Sequence, residues 1–204
     1  GTGSVGIGTA APQELLHVYG TGATVLSEVE ASDGHSVGYK MTNSEGSYAW
    51  YTDGNEALLH DYTSGVPRIT IDSSGNVGIG HTSIVNVSGV GSKLQVSSAD
   101  YEGISLLQYA NDGTFPLMTI GKSRNATFGG NTILQDDDKV GGLLFVANDG
   151  TDFQPNIGRI TAEVDDSSPA ENEIGGRLVF STSATDSVNV SERLRIDSSG
   201  NVGI

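Results

Sequence analysis

Apolar residues alternate with polar residues or glycine over short stretches of the chain, and this period of two is typical of β-strands. Short turn sequences lie between the alternating stretches, as in hairpins, and include Glu45-Gly46, Asp53-Gly54 and Asn148-Asp149-Gly150. The predicted strands are Ala23–Glu30, Val37–Thr42, Ser47–Thr52, Glu56–Tyr62, Gly103–Ala110, Leu117–Gly121, Gly142–Asn148, Ile157–Val164 and Arg177–Thr182.

No stretch has a sustained helical period. Within residues 165–175, Ser168 followed by Pro169 is a suitable start for a short helix, and an acidic loop fits the same residues equally well. The pattern therefore predicts an all-β protein.

One phrase occurs three times, as Val5-Gly6-Ile7-Gly8, as Val77-Gly78-Ile79-Gly80 and as Val202-Gly203-Ile204. An alternating strand ending in Ile-Asp and the turn Ser-Ser-Gly-Asn precede the second and third copies. The intervals between copies are unequal, which excludes a solenoid of constant period. We therefore predict connectors separated by β-rich bodies: connector 1–20, body 21–67, connector 68–98, larger body 99–192, and the start of a third connector at 193–204. The chain opens inside one copy and closes inside another, so we interpret it as part of a longer protein.

Each connector strand has one apolar face and one face left bare by glycine, and a bare face lets another backbone approach closely. A single connector buries too few apolar side chains to be stable alone. We therefore predict that three copies of the chain pack their connectors together as a neck. The predicted neck residues are Val5, Gly6, Ile7, Gly8, Ile69, Ile71, Val77, Gly78, Ile79, Gly80, Leu194, Ile196, Val202, Gly203 and Ile204.

Composition agrees with a thin core that other copies complete. Only 36% of the 204 residues are hydrophobic and 6% are aromatic, while 29 are glycine. Cysteine is absent, so disulfides and thiolate metal sites are excluded. The net charge of −15 argues against nucleic acid and anionic lipid as partners. The longest apolar run, Leu143–Ala147, is too short to span a membrane.

Candidate chemistry is sparse. His17, His35, His60 and His81 have no metal-ligand spacing. Asp136-Asp137-Asp138 is either a solvated loop or a Ca²⁺ site, although consecutive acids do not have EF-hand spacing. There is no Gly-x-Ser-x-Gly elbow and no phosphate-binding loop. We predict no catalytic residue, no metal site and no cofactor, and leave any receptor-binding residue unassigned.

Five aromatic residues lie close together in the first body. They close a small β core, or they form a face on which a glycan stacks. They are Tyr39, Tyr48, Trp50, Tyr51 and Tyr62.

The connector resembles that of bacteriophage tail fibres, in which Arg-hydrophobic-x-Ile-Asp precedes GNVGIGT, with Pro and Leu-x-Val following. The similar stretches here are VGIGTAAPQELLHV, RITIDSSGNVGIG and GGRLVFSTSATDSVNVSERLRIDSSGNVGI. The second connector departs from the pattern, with His81 where Thr is usual and additional residues in place of Pro.

The resemblance implies a homotrimeric fibre of small β-sandwich or β-prism bodies joined by intertwined β necks. It implies a virion-borne, extracellular protein that is structural and adhesive, is not an enzyme, and helps in host attachment. The implied partners are further copies of the chain, other tail-fibre or baseplate proteins, and a host-surface glycan or protein. The alternatives are a tailspike-like polysaccharide depolymerase and a non-viral surface adhesin or filament.

Overall fold

A computed structural model describes residues 3–19, 28–31, 34–89, 91–99 and 103–204. The chain divides into two units, Gly1–Thr82 and Ser83–Ile204, and the division falls within the predicted connector 68–98. The described residues contain strands and no α-helix, which confirms the all-β prediction. They therefore contain no helix long and apolar enough to cross a membrane.

The first unit contains a two-stranded ribbon and an antiparallel sheet. Strands β1 and β2 pair in parallel, and β3 to β7 pair in chain order through tight connections. In the β4–β5 hairpin, Gly54 has a φ of 58°, which the predicted Asp-Gly turn requires. The strands are β1 Val5–Ile7, β2 Leu16–Val18, β3 Val37–Thr42, β4 Ser47–Asp53, β5 Glu56–Asp61, β6 Val66–Ile71 and β7 Val77–Ile79.

The second unit contains a five-stranded antiparallel sheet in the order β13-β12-β11-β10-β9, so β9 lies at one edge. An additional short strand, β8, precedes it in the chain. The strands are β8 Leu94–Val96, β9 Lys139–Val146, β10 Asn156–Val164, β11 Gly176–Ser183, β12 Val190–Ile196 and β13 Val202–Gly203.

Six predicted strands are confirmed and correspond to β3, β4, β5, β9, β10 and β11. The predictions for Gly103–Ala110 and Leu117–Gly121 are wrong for the single chain, because these stretches pair with no strand among the described residues. Residues 165–175 form a loop with one β-bridge between Ala170 and Glu173. Of the two alternatives predicted for this stretch, a short helix or an acidic loop, the structure has the loop. Most of Ala23–Glu30 lies outside the described residues.

The buried core is thin in both units. Only five hydrophobic residues of the described part are buried: Ala49, Leu58, Leu134, Val164 and Val179. By contrast, 37 large apolar or aromatic side chains among the described residues are exposed. Soluble proteins rarely leave large contiguous apolar patches exposed to water. Whether these side chains are contiguous therefore indicates whether they form an interface.

Candidate assembly site

The two connector turns have the same structure. Ile71 pairs with Val77 across one hairpin, and Ile196 pairs with Val202 across the other. In each turn the aspartate carboxylate accepts hydrogen bonds from two backbone N–H groups and from the asparagine side chain, at 2.8–2.9 Å.

The glycine of each turn takes a left-handed conformation, with φ of 73° at Gly75 and 82° at Gly200. Glycine suits these positions, because β-branched or bulky residues adopt such angles only at a cost.

The bare glycine face of the connector strand contacts the same chain at two sites. A Cβ atom added at Gly78 would lie 3.2 Å from the imidazole ring of His81. A Cβ added at Gly6 would collide with the backbone oxygen of Thr9. The histidine that departs from the usual connector pattern therefore lies over its glycine just as Thr9 does, so the link keeps the same local packing.

One face of the first sheet is apolar and uncovered by the described part of its own unit. Directly paired residues of antiparallel strands point to the same side, so the strand register identifies this face. Tyr39 pairs with Trp50, Trp50 with Leu59, and Leu59 with Ile69. The first apolar face consists of Tyr39, Met41, Tyr48, Trp50, Leu59, Ile69, Ile71, Val77 and Ile79. The same side of the sheet also carries Thr52 and the buried Asp61, which pairs with Tyr48 at its edge.

The opposite side of this sheet carries a few buried residues and a compact group of rings. Ala49, Leu58 and Thr70 are buried there. The rings of His60 and Tyr62 lie 4.6 Å apart, and the Lys40 ammonium lies 4.5 Å from the centre of the Tyr62 ring.

The aromatic cluster anticipated from the sequence is therefore divided between the two sides of the sheet. Tyr39, Tyr48 and Trp50 belong to the apolar face, while Tyr51 and Tyr62 lie on the other side, where both contact His60.

The second sheet also has an apolar face. Ile160 pairs with Leu143 on one side and Phe180 on the other, and Leu178 pairs with Ile196. The second apolar face consists of Leu143, Phe145, Ile160, Ala162, Leu178, Phe180, Leu194, Ile196 and Val202.

The apolar side chains of the predicted neck are exposed or half-buried, whereas Gly78 is buried on the opposite side of the first sheet, paired with Thr70. Ile69, Ile71, Val77 and Ile79 lie on the first apolar face. Leu194, Ile196 and Val202 lie on the second. Val5 and Ile7 are exposed on the β1–β2 ribbon, and Ile204 is exposed at the chain end. Sequence reasoning missed the rest of each face, since only strand register places residues from distant segments on one side of a sheet.

A buried ion-pair cluster lies on the other side of the second sheet. Arg177 pairs with Glu163 at 2.8 Å, with Asp137 at 2.6 Å and with Asp165 at 3.2 Å. The hydrogen bonds that the Arg177 guanidinium donates to Asp137 and Glu163 raise its pKa. Backbone and hydroxyl hydrogen bonds from Ser198, followed by Arg177, lower the pKa of Asp165. The cluster thus ties β10, β11 and two loops together.

The three consecutive aspartates have separate partners within the chain. Asp137 binds Arg177, Asp138 binds Lys122 and Arg124, and Asp136 accepts a hydrogen bond from the backbone of Asp166. Asp136 and Asp137 are exposed, as the solvated-loop interpretation expects, whereas the Asp138 side chain is largely buried. Among the described residues, no three His, Asp or Glu side chains converge as metal ligands do.

We expect acid to destabilise the protein partly through the connector turns. Hydrogen bonds from the side chain and backbone of Asn201 hold the pKa of Asp197 below its usual value. A depressed folded-state pKa stabilises the fold above the unfolded value of about 3.9, and this contribution is lost as the pH falls toward the folded value. Asp197→Asn keeps an acceptor in the turn but does not titrate. Its melting temperature should fall less between pH 5 and pH 2 than that of the wild type, and superimposable profiles would contradict this.

The fold is similar to that of solved phage tail-fibre structures. It aligns with the carboxy-terminal domain of the bacteriophage T5 L-shaped tail fibre with a TM-score of 0.62 and 13% identity, over 98% of this chain and 89% of that chain. The same tail-fibre domain with its intra-molecular chaperone domain aligns with a TM-score of 0.62 and 12% identity, over 90% of this chain and 60% of that longer chain. No protein-family profile and no curated protein sequence matches. At this identity the similarity establishes the fold.

Proposed function

We propose that the chain is a structural segment of a phage tail fibre, in which three copies cover one another's apolar faces. The observation that supports this most is that both sheets carry a contiguous apolar face whose side chains stay partly exposed, although Ile120 of the same unit packs over Gly141 on the second face. A sheet needs a second layer over its apolar side, and an identical chain supplies one of matching chemistry.

The exposed area is consistent with subunits that fold together. The chain exposes 15224 Å², whereas two compact units that together have its mass of 21.1 kDa would expose about 11000 Å². Covering the excess would remove thousands of Å² from water, which is the range of permanent interfaces. The second layer is thus the main source of stability in the proposed fibre.

Charge and chemistry favour an appendage that does not catalyse a reaction. Three chains would carry three times the net charge of −15, which keeps fibres soluble and apart from one another. The ionisable groups of the buried cluster around Arg177 are paired with one another in ion pairs that join strands and loops. We propose that the fibre projects from the virion and contributes to attachment through three equivalent surfaces, whose weak contacts with a host-surface glycan or protein add through effective concentration.

Immunogold labelling tests the proposed location. Antibodies raised against the recombinant chain should label the tail fibres of virions that encode it, as seen by electron microscopy. Label on the capsid alone, or on cell-surface filaments in cultures without virions, would contradict the proposal. Incubation of the chain with host polysaccharide should release no fragments, and sustained turnover would instead favour a depolymerase.

A further inference from the structure

Strand β9 occupies an edge of the second sheet but has the sequence of an interior strand. Its second half, Leu143–Val146, is apolar on both faces, as in strands covered from both sides. Leu143 and Phe145 are about half exposed on one face, and Leu144 is 45% exposed on the other. Within the described part of the chain, no strand pairs with the outer edge of β9. An edge of this kind readily accepts another strand.

Residues 103–121 have the opposite property, since they resemble strands that have no sheet. Residues 103–110 contain no helix, turn or bend, and 103–121 form no backbone-to-backbone hydrogen bonds among the described residues. Apolar side chains project from both sides of this run. Ile104 and Leu106 alternate with Leu107 and Tyr109, and Tyr109 is 94% exposed. Backbone and side chains alike are therefore left to water in the single chain.

The chain anchors the end of this segment on its own sheet and leaves the start free. Ile120 packs against Gly141, where an added Cβ would collide with its side chain. Ile120 lies eleven positions after Tyr109, and an extended run over eleven positions spans up to about 36 Å. The segment 104–109 can therefore reach a neighbouring subunit while its own chain holds Ile120 in place.

We propose that residues 104–109 of one copy pair with the outer edge of β9 in a second copy. This inference rests on the proposed trimer and adds to it a specific exchange of strands. Each copy gives a strand to one neighbour and receives one from the other, so three copies close into a ring. Backbone hydrogen bonds supply pairing, and the alternating side chains extend both faces of the sheet. Residues 104–109 carry no charge and the one charged residue of β9 is the cation Lys139, so no like charges meet where the two strands pair.

Engineered cysteines test the exchange in the full chain, because the natural sequence contains none. Three double variants combine Leu107→Cys with Leu143→Cys, Leu144→Cys or Phe145→Cys, which covers the registers that place Leu107 opposite the apolar half of β9 that the proposal assigns to it. After oxidation, at least one variant should run as a covalent trimer on a denaturing, non-reducing gel. The matched control combines Leu107→Cys with Ile174→Cys, which is 48% exposed and lies in the loop before β11. The control should stay monomeric on the gel.

The outcomes separate this inference from the proposed trimer. Disulfides that form only within a chain would show that the segment pairs with its own sheet, and the exchange would be wrong. Absence of any disulfide in all three variants, with a trimeric native mass, would also overturn the exchange while leaving the trimer intact. A monomeric native mass of the unmodified protein would contradict both proposals.

Discussion

Replacing Trp50 with glutamate should dissociate the protein. Trp50 lies centrally on the first apolar face, paired with Tyr39 on one side and Leu59 on the other. Loss of a large buried aromatic side chain costs about 3 kcal/mol, and a charge in its place adds to that. Because three copies change at once, the assembly free energy falls by roughly 9 kcal/mol, which weakens the association constant about a millionfold. Sedimentation velocity at micromolar concentration measures the loss directly.

Tyr62→Glu is the matched control for this experiment. Tyr62 is an aromatic residue of nearly equal exposure, 47% against 44% for Trp50, but it lies on the other side of the sheet with His60 and Lys40. This variant should therefore keep the native oligomer. Equal dissociation of both variants would show that the apolar face has no special role, and unchanged mass in Trp50→Glu would show that the face is not an interface.

Arg177→Ala should lower the stability of the second unit strongly. The Arg177 side chain is only 10% exposed, and its main partner Glu163 is 8% exposed. Removing the guanidinium leaves Glu163 buried without its cation, with Asp137 and Asp165 close by. Breaking a buried pair in this way costs about 3 kcal/mol, or a fall of roughly 10 °C in melting temperature.

Arg195→Ala supplies the comparison for the buried cluster. Arg195 also forms an ion pair, with Glu192, but both side chains are about 40% exposed. Water and salt screen a pair of this kind, so its loss should change the melting temperature little. Differential scanning calorimetry of the two variants measures the contrast. Equal and small shifts would indicate that Arg177 is not buried in the assembled protein.

Local structure could be predicted from the sequence wherever the signal is local. Alternation and turn residues located β3, β4 and β5, and Ser-Ser-Gly-Asn identified both connector turns. These features depend on residues that lie next to one another in the chain, so a single sequence contains the information.

The parts that depend on distant segments were not predictable in the same way. Arg177 meets Asp137 and Glu163 only through the register of β10 with β11 and the fold of a preceding loop. The one sign of this cluster in the sequence is that the charged residue Arg177 alternates onto the same side of β11 as the buried Val179. The strands predicted at 103–110 and 117–121 failed for a related reason, because alternation shows that a segment can pair without showing which edge is available to it.

The native mass of the unmodified protein tests most directly whether the chain depends on other copies of itself. Native mass spectrometry and sedimentation equilibrium from dilute to concentrated solution should give three times the chain mass of 21.1 kDa, with folded structure lost when the trimer dissociates. A monomer that stays folded and melts cooperatively at every concentration would contradict the account, because its two apolar sheet faces would then be stable in water without a second layer.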